Sequence, residues 1–140
     1  MRKKLYFGHP MNTYDTPLET RLLTVIKKAF PGWGIENPNQ EHHQQGCRES
    51  MAATGNPMRY FFETVLPDCD AGIFLPFRDG KWGAGIFGEA MVLLDQECPI
   101  WRITPDEVIT KLPCLDGNLE LTVDETLSRI CVTWGDWLPY

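Results

Sequence analysis

The sequence predicts an α/β fold, a doubly wound and mainly parallel sheet of four to five strands covered by helices on both faces. Three observations carry this. Short runs rich in strand formers (Leu5-Tyr6-Phe7, Ala71-Gly72-Ile73-Phe74-Leu75 and Pro99-Ile100-Trp101-Arg102-Ile103) alternate with helical patterns along the whole chain. Helix starts are announced by cap and acid at Thr16-Pro17-Leu18-Glu19, Thr104-Pro105-Asp106-Glu107 and Thr122-Val123-Asp124-Glu125. Finally, Gly83-Ala84-Gly85-Ile86-Phe87-Gly88-Glu89 runs from a glycine-rich turn into an apolar helix. Open α/β sheets place ligands in this way, at the carboxyl ends of their strands.

Taken in order, a first strand spans 4–8 and ends at Gly8-His9-Pro10. Thr16 then caps a helix with Pro17 in its first turn and Glu19 as the capping-box acid. Leu18, Leu22, Val25, Ile26 and Ala29 form one face of that helix, and Pro31-Gly32 stops it. Residues 33–36 suit a short second strand. Residues 37–57 are polar and without clear periodicity, the signature of a lid or substrate loop. Met58, Phe61, Phe62, Val65 and Leu66 predict a second helix ended by Pro67. A buried strand at 71–75, a loop at 76–82 and the glycine-led helix to about 96 follow, then a strand at 99–103. Short helices are predicted after Thr104 and after Thr122, the latter containing Leu127 and Ile130. The final stretch carries Trp134, Trp137 and Tyr140, and is expected to pack on its own domain or on a neighbouring subunit. The whole reads as one domain, 1–140, of the flavodoxin or Rossmann type.

Composition narrows the function classes. The chain of 140 residues is 43% apolar and 23% charged, ordinary for a globular domain. Its net charge of −6 argues against a nucleic-acid partner. No apolar run approaches the length that spans a bilayer, and Arg2-Lys3-Lys4 leads into Leu5-Tyr6-Phe7, which Gly8-His9-Pro10 breaks too early for a signal peptide. A cytoplasmic protein is expected. The 5 cysteines are widely spaced with no Cys-x-x-Cys, so reduced thiols are expected, with neither a disulfide framework nor a zinc knuckle. His42-His43 raises the question of a metal. Neighbouring histidines point apart on a strand or helix and no third ligand is evident, so a solvated loop is expected and no metal is assigned.

Loops after the strands of a doubly wound sheet converge on one edge. Here that brings Tyr6, His9, Asn12, Asp15, Arg78, Asp79 and Glu89 towards one pocket. Carboxylates without a metal motif suit a sugar reaction through an oxocarbenium-like transition state: one carboxylate attacks the anomeric carbon and another group protonates the leaving group. A tyrosine hydroxyl can hold the attacking carboxylate in one rotamer. Each residue also has a plainer role: Glu89 as a solvated helix residue, Tyr6 as core, His9 as a loop residue and Asp79-Gly80 as a turn. Gly83-x-Gly85-x-x-Gly88 matches dinucleotide spacing, but it lies mid-chain without the first strand unit of a dinucleotide fold.

Together these segments resemble the nucleoside 2-deoxyribosyltransferases and their N-glycosidase relatives. Leu5-Tyr6-Phe7-Gly8-His9-Pro10-Met11 is similar to the family's opening strand and turn. Cys69-Asp70-Ala71-Gly72-Ile73-Phe74-Leu75 resembles its Asp-led middle strand, and Gly85-Ile86-Phe87-Gly88-Glu89 its glycine turn with a glutamate four residues on. The resemblance covers residues 5–103. It implies cleavage or transfer at the N-glycosidic bond of a nucleoside or nucleotide, without a cofactor. Glu89 would be the nucleophile and Tyr6 would orient it. Gly8 and the loop through His9, Asn12 and Asp15 would line the sugar side, with Gly85 in the turn. Where the family carries further acids the chain has Gly83 and Phe62, which leaves Asp79 and Glu63 as the candidate base-contacting acids. The absence of a serine-rich phosphate cradle leans towards nucleosides. The resemblance further implies an oligomer, which would suit the aromatic tail. An alternative is a non-catalytic module that binds a nucleotide or nucleotide-sugar in the same pocket.

Overall fold

The computed structural model describes residues 2–140. A five-stranded sheet has the order β2-β1-β3-β4-β5, built from β1 (Lys4–Gly8), β2 (Gly34–Glu36), β3 (Ala71–Phe74), β4 (Ile100–Ile103) and β5 (Ile109–Leu112). The pairs β1·β2, β1·β3 and β3·β4 are parallel, and β5 closes the edge antiparallel to β4. The fold is therefore α/β and doubly wound. Strand order reverses between β1 and β3, the position where open α/β sheets hold ligands at the carboxyl ends of their strands.

Side-chain alternation along each strand sorts the core into two layers. Leu5, Phe7, Ala71, Ile73 and Ile103 point to the face covered by α1 (Pro17–Ala29), where Leu22 and Ile26 are fully buried. Tyr6, Phe74 and Ile100 point to the opposite face, against Ile86, Phe87, Ala90 and Leu93 of α4 (Ala84–Asp95). Burying such side chains contributes roughly 1.5–3 kcal/mol each, which makes these two faces the main source of stability.

Two sequence expectations fail in the structure. The stretch 37–57 is not a loop: it contains helix α2 (Glu41–Thr54), closed by Gly55 in the left-handed conformation at φ 74°. His43 is its one buried residue, so α2 lacks the apolar stripe that would have marked it. Gly46 is where it meets its neighbour, since a Cβ there would stand 2.2 Å from the Tyr60 ring. The residues after Thr104 do not form a helix either. They turn, with the Glu107 amide on the Thr104 carbonyl and the Thr104 amide on the Val108 carbonyl, and lead into β5. The β-branched run Val108-Ile109-Thr110 outweighs the cap signal there.

The predicted helix at 58–66 is a composite. A turn of α-helix, α3 (Met58–Tyr60), continues as a π-helical turn (Phe61–Val65) and a 3₁₀ turn (Leu66–Asp68), which brings Phe61, Val65 and Leu66 inward. The Thr122 capping box opens α5 (Val123–Ile130) with both of its reciprocal hydrogen bonds. A two-stranded hairpin, β6 (Cys131–Thr133) and β7 (Asp136–Trp137), follows and leaves Trp134 and Trp137 exposed. Beyond it the tail packs on its own chain: Leu138 bonds to Ile130 and Asn12, and Tyr140 reaches the Pro76 carbonyl and stacks under Arg78.

Candidate functional site

Near the carboxyl ends of β1 and β3, the Tyr6 hydroxyl donates to Glu89 Oε2 in a buried hydrogen bond. Tyr6 comes from the middle of β1, and Glu89 from the sheet-facing side of α4, one turn after Ile86 and one before Leu93. Gly8 makes the meeting geometrically feasible. A Cβ there would lie 2.5 Å from the Phe74 ring and 3.4 Å from Glu89 Oε1, so any larger residue would close the gap into which the carboxylate projects.

Glu89 is 3% exposed. Burial raises its carboxyl to about 8, and only the Tyr6 hydrogen bond pulls the other way. Tyr6 is raised well above its ordinary value by burial and then by the Glu89 charge. Tyr14 is raised by burial first and next by Glu89, and the thiol of Cys47 on α2 is also raised chiefly by burial, with a smaller push from Glu89. The carboxyl group is thus buried with the Tyr6 hydroxyl as its hydrogen-bond partner. So strongly perturbed an acid, buried at the point where strand order reverses, marks a functional candidate.

The glycines of the turn serve packing. A Cβ at Gly85 would meet Met58 at 3.4 Å and one at Gly88 would meet Phe62 at 3.2 Å, so the composite helix lies close along α4. The first amide of α4, at Ala84, donates to Thr126 Oγ1 of α5.

His9 lies beside this centre, but its ring is fixed by the protein. Nδ1 faces the Phe7 carbonyl at 3.0 Å and Nε2 faces Glu19 Oε2 at 2.7 Å, with the ring stacked on Phe7. Nδ1 must carry a proton to meet a carbonyl, so His9 and Glu19 share a further proton between them. Burial alone would raise Glu19, but hydrogen bonds from His9 and Asn39 outweigh it and hold the carboxyl below its ordinary value. Asn39 also donates to Asp15, and the Asp15 amide donates to Glu19, at a residue with φ 60°. The loop after β1 is thereby tied to the loop after β2. Thr16 does cap α1, but the Glu19 side chain turns inward to this network and does not return to the Thr16 amide. Read from sequence, Glu19 was a capping acid; the signal that could have moved it inward is its position on the helix face next to Leu22 and Ile26.

The remaining predicted residues are scattered. Asn12 is buried and donates to the Leu138 carbonyl, while its Oδ1 has no partner among the described residues. Asp79 forms a forked pair with Arg129 at the surface, and that hydrogen-bonded pairing holds its carboxyl below its ordinary range. Glu63 is exposed and paired with Arg59 one turn away. Neither acid is brought to Glu89. Arg78 donates to the Tyr140 carbonyl and helps line a cavity of about 230 Å³ between the loops after β3 and β4, together with Phe77, Arg102, Thr104 and Asp106. This cavity is one strand removed from Glu89. Gly8 pairs with Phe74 and Phe74 with Arg102, so Arg102 projects from the same face of the sheet, about 10 Å across it from Gly8. Among the described residues, Arg102 Nε is buried without a partner.

A third cluster was not foreseen. Glu36, at the end of β2, accepts from His43 Nε2 at 2.8 Å, and His43 Nδ1 meets the Tyr60 hydroxyl at 2.7 Å. The ligand atoms of Glu36, His42 and His43 lie within 4.8 Å of one another. The third group missing from the sequence reading is thus supplied by the strand, six residues before His42.

No family model, curated protein or solved structure matches the chain. Among the described residues no helix is long and apolar enough to cross a membrane.

Proposed function

We propose that the protein cleaves or transfers at the N-glycosidic bond of a nucleoside or nucleotide, with Glu89 as nucleophile. The observation that carries the reading is the buried Tyr6–Glu89 hydrogen bond at the point where strand order reverses. Glu89 acts as the carboxylate after its proton passes to solvent, and Tyr6 keeps one oxygen fixed so that the other is free to face the anomeric carbon. Glu89 attacks that carbon, the C–N bond breaks with its electron pair on the base, and a glycosyl ester forms. The departing base takes its proton from solvent, because Asp79 and Glu63 are engaged with arginines at the surface. Water or a second base then attacks the same carbon and frees Glu89.

Arg102 and Arg78 favour a 5′-monophosphate over a free nucleoside: Arg102 Nε is buried and unpartnered among the described residues, and Asp106 only partly offsets the positive charge of their cavity. Free thiols at Cys47, Cys69, Cys98, Cys114 and Cys131 are in keeping with a cytoplasmic setting. Exposed Trp134 and Trp137 would suit a subunit contact in an oligomer.

A non-catalytic nucleotide or nucleotide-sugar binder at the same place is favoured by one observation, the burial of Glu89 against Tyr6. Incubation with nucleosides and 5′-monophosphates, with and without a free acceptor base, separates the readings by chromatography. Released base indicates a hydrolase and exchanged base a transferase. Saturable binding without product supports the binding module. Glu89→Ala should abolish turnover with the fold retained, and unchanged activity in that variant would refute the mechanism.

A further inference from the structure

We propose that Glu36, His42 and His43 form a site for a divalent transition metal such as zinc, which pins helix α2 to the sheet edge beside Glu89. This inference does not depend on the glycosidic reaction. Two imidazoles and one carboxylate are a donor set suited to zinc, and their ligand atoms already lie within 4.8 Å of one another. Three protein ligands leave one position of a tetrahedral ion for water.

The surroundings are arranged as a ligand's support would be. His43 is buried, and its Nδ1 is held by the Tyr60 hydroxyl, which leaves Nε2 directed at the Glu36 carboxylate. When a metal takes Nε2, the ring carries its proton on Nδ1 and donates it to the Tyr60 oxygen, so no bond is left unmet. His42 folds beside His43, with ring centroids 3.9 Å apart, although successive helical residues diverge by about 100°. The Lys4 ammonium also faces Glu36, at 4.0 Å and on a half-exposed side chain, from which it can swing into water.

Helix α2 buries His43 alone, so apolar contact contributes little to its docking. A metal shared between β2 and α2 would supply that attachment. It would also fix Cys47 and the Tyr60–Phe61 corner, whose rings pack towards Tyr6.

The test uses tag-free protein stripped with chelator and titrated with zinc by calorimetry, and with cobalt(II) by absorption. Saturable binding near one equivalent is expected, with a raised melting temperature and a cobalt spectrum lacking thiolate charge transfer. His42→Ala removes an exposed side chain and should keep the fold by circular dichroism, while weakening zinc binding about tenfold or more. Glu36→Gln should do the same. The proposal is overturned by an absence of saturable binding. It is equally overturned by a thiolate band, which would place the metal on cysteines, or by undiminished affinity in folded His42→Ala protein. None of these readouts involves turnover, so failure here leaves the glycosidic reading standing, and the reverse.

Discussion

Replacing Glu89 with glutamine isolates the energetic consequence of burying this acid. In the folded protein the carboxyl is raised from 4.5 to about 8, so the folded state holds a proton that the unfolded chain releases between those values. Stability is therefore lost as pH rises through that window: the contribution is fully present below the lower value, and no further change occurs above the upper one. At 1.36 kcal/mol per pH unit, the wild-type protein should lose about 4 kcal/mol relative to Glu89→Gln between pH 5 and pH 9. The amide keeps a carbonyl oxygen to accept from Tyr6 and has no charge to desolvate. Urea unfolding of both proteins at several pH values provides the assay, because every other titrating group cancels in the difference. A difference that stays flat from pH 5 to pH 9 would refute the claim that Glu89 is buried in its protonated form.

Three further outcomes follow from the same geometry. Gly8→Ala should cost about 1–3 kcal/mol in urea unfolding, because its Cβ would press on Phe74 at 2.5 Å; an unchanged midpoint would mean the space beside Phe74 is wider than described. Tyr6→Phe removes the hydrogen bond that lowers the Glu89 carboxyl, so in the proposed reaction the alkaline-rising limb should move up by about one pH unit, as read from a pH–rate profile. Glu19→Ala leaves His9 buried without its partner and should cost about 3–5 kcal/mol at pH 7. Because Glu19 is held below its ordinary value, its share of stability is present above that value and fades in acid. The penalty should therefore shrink at pH 3.5, and equal losses at both pH values would count against the pair.

Most of the sheet was legible because its signals are local. β1, β3 and β4 are short strand-forming runs bounded by turn residues, and α1 has both a cap and a clean apolar stripe. Helix α2 was not, since a helix that buries a single histidine has no periodicity to detect. The turn after Thr104 shows a genuine cap signal losing to the β-branched residues that follow. In the site, loop convergence brought Tyr6 and Glu89 forward and resemblance gave them roles, but the burial of Glu89 could not be inferred from pattern: α4 is apolar nearly all round, so the sequence does not show which side faces the sheet. Glu19, Asn39 and the Glu36–His43–Tyr60 set depend on contacts between loops of different strands, which spacing along the chain does not encode.

The thin attachment of α2 also bears on how anything reaches Glu89. Elements that bury little apolar surface open at lower free energy than the sheet they rest on. In amide hydrogen exchange, α2 should lose protection well before β1, β3 and α4 do. Its departure would carry Cys47 away from the carboxylate without disturbing Tyr6 or Gly8, which belong to the rigid sheet. Tyr6 and Glu89 would then sit in the most stable part of the molecule, and any route to them would open through the least stable part.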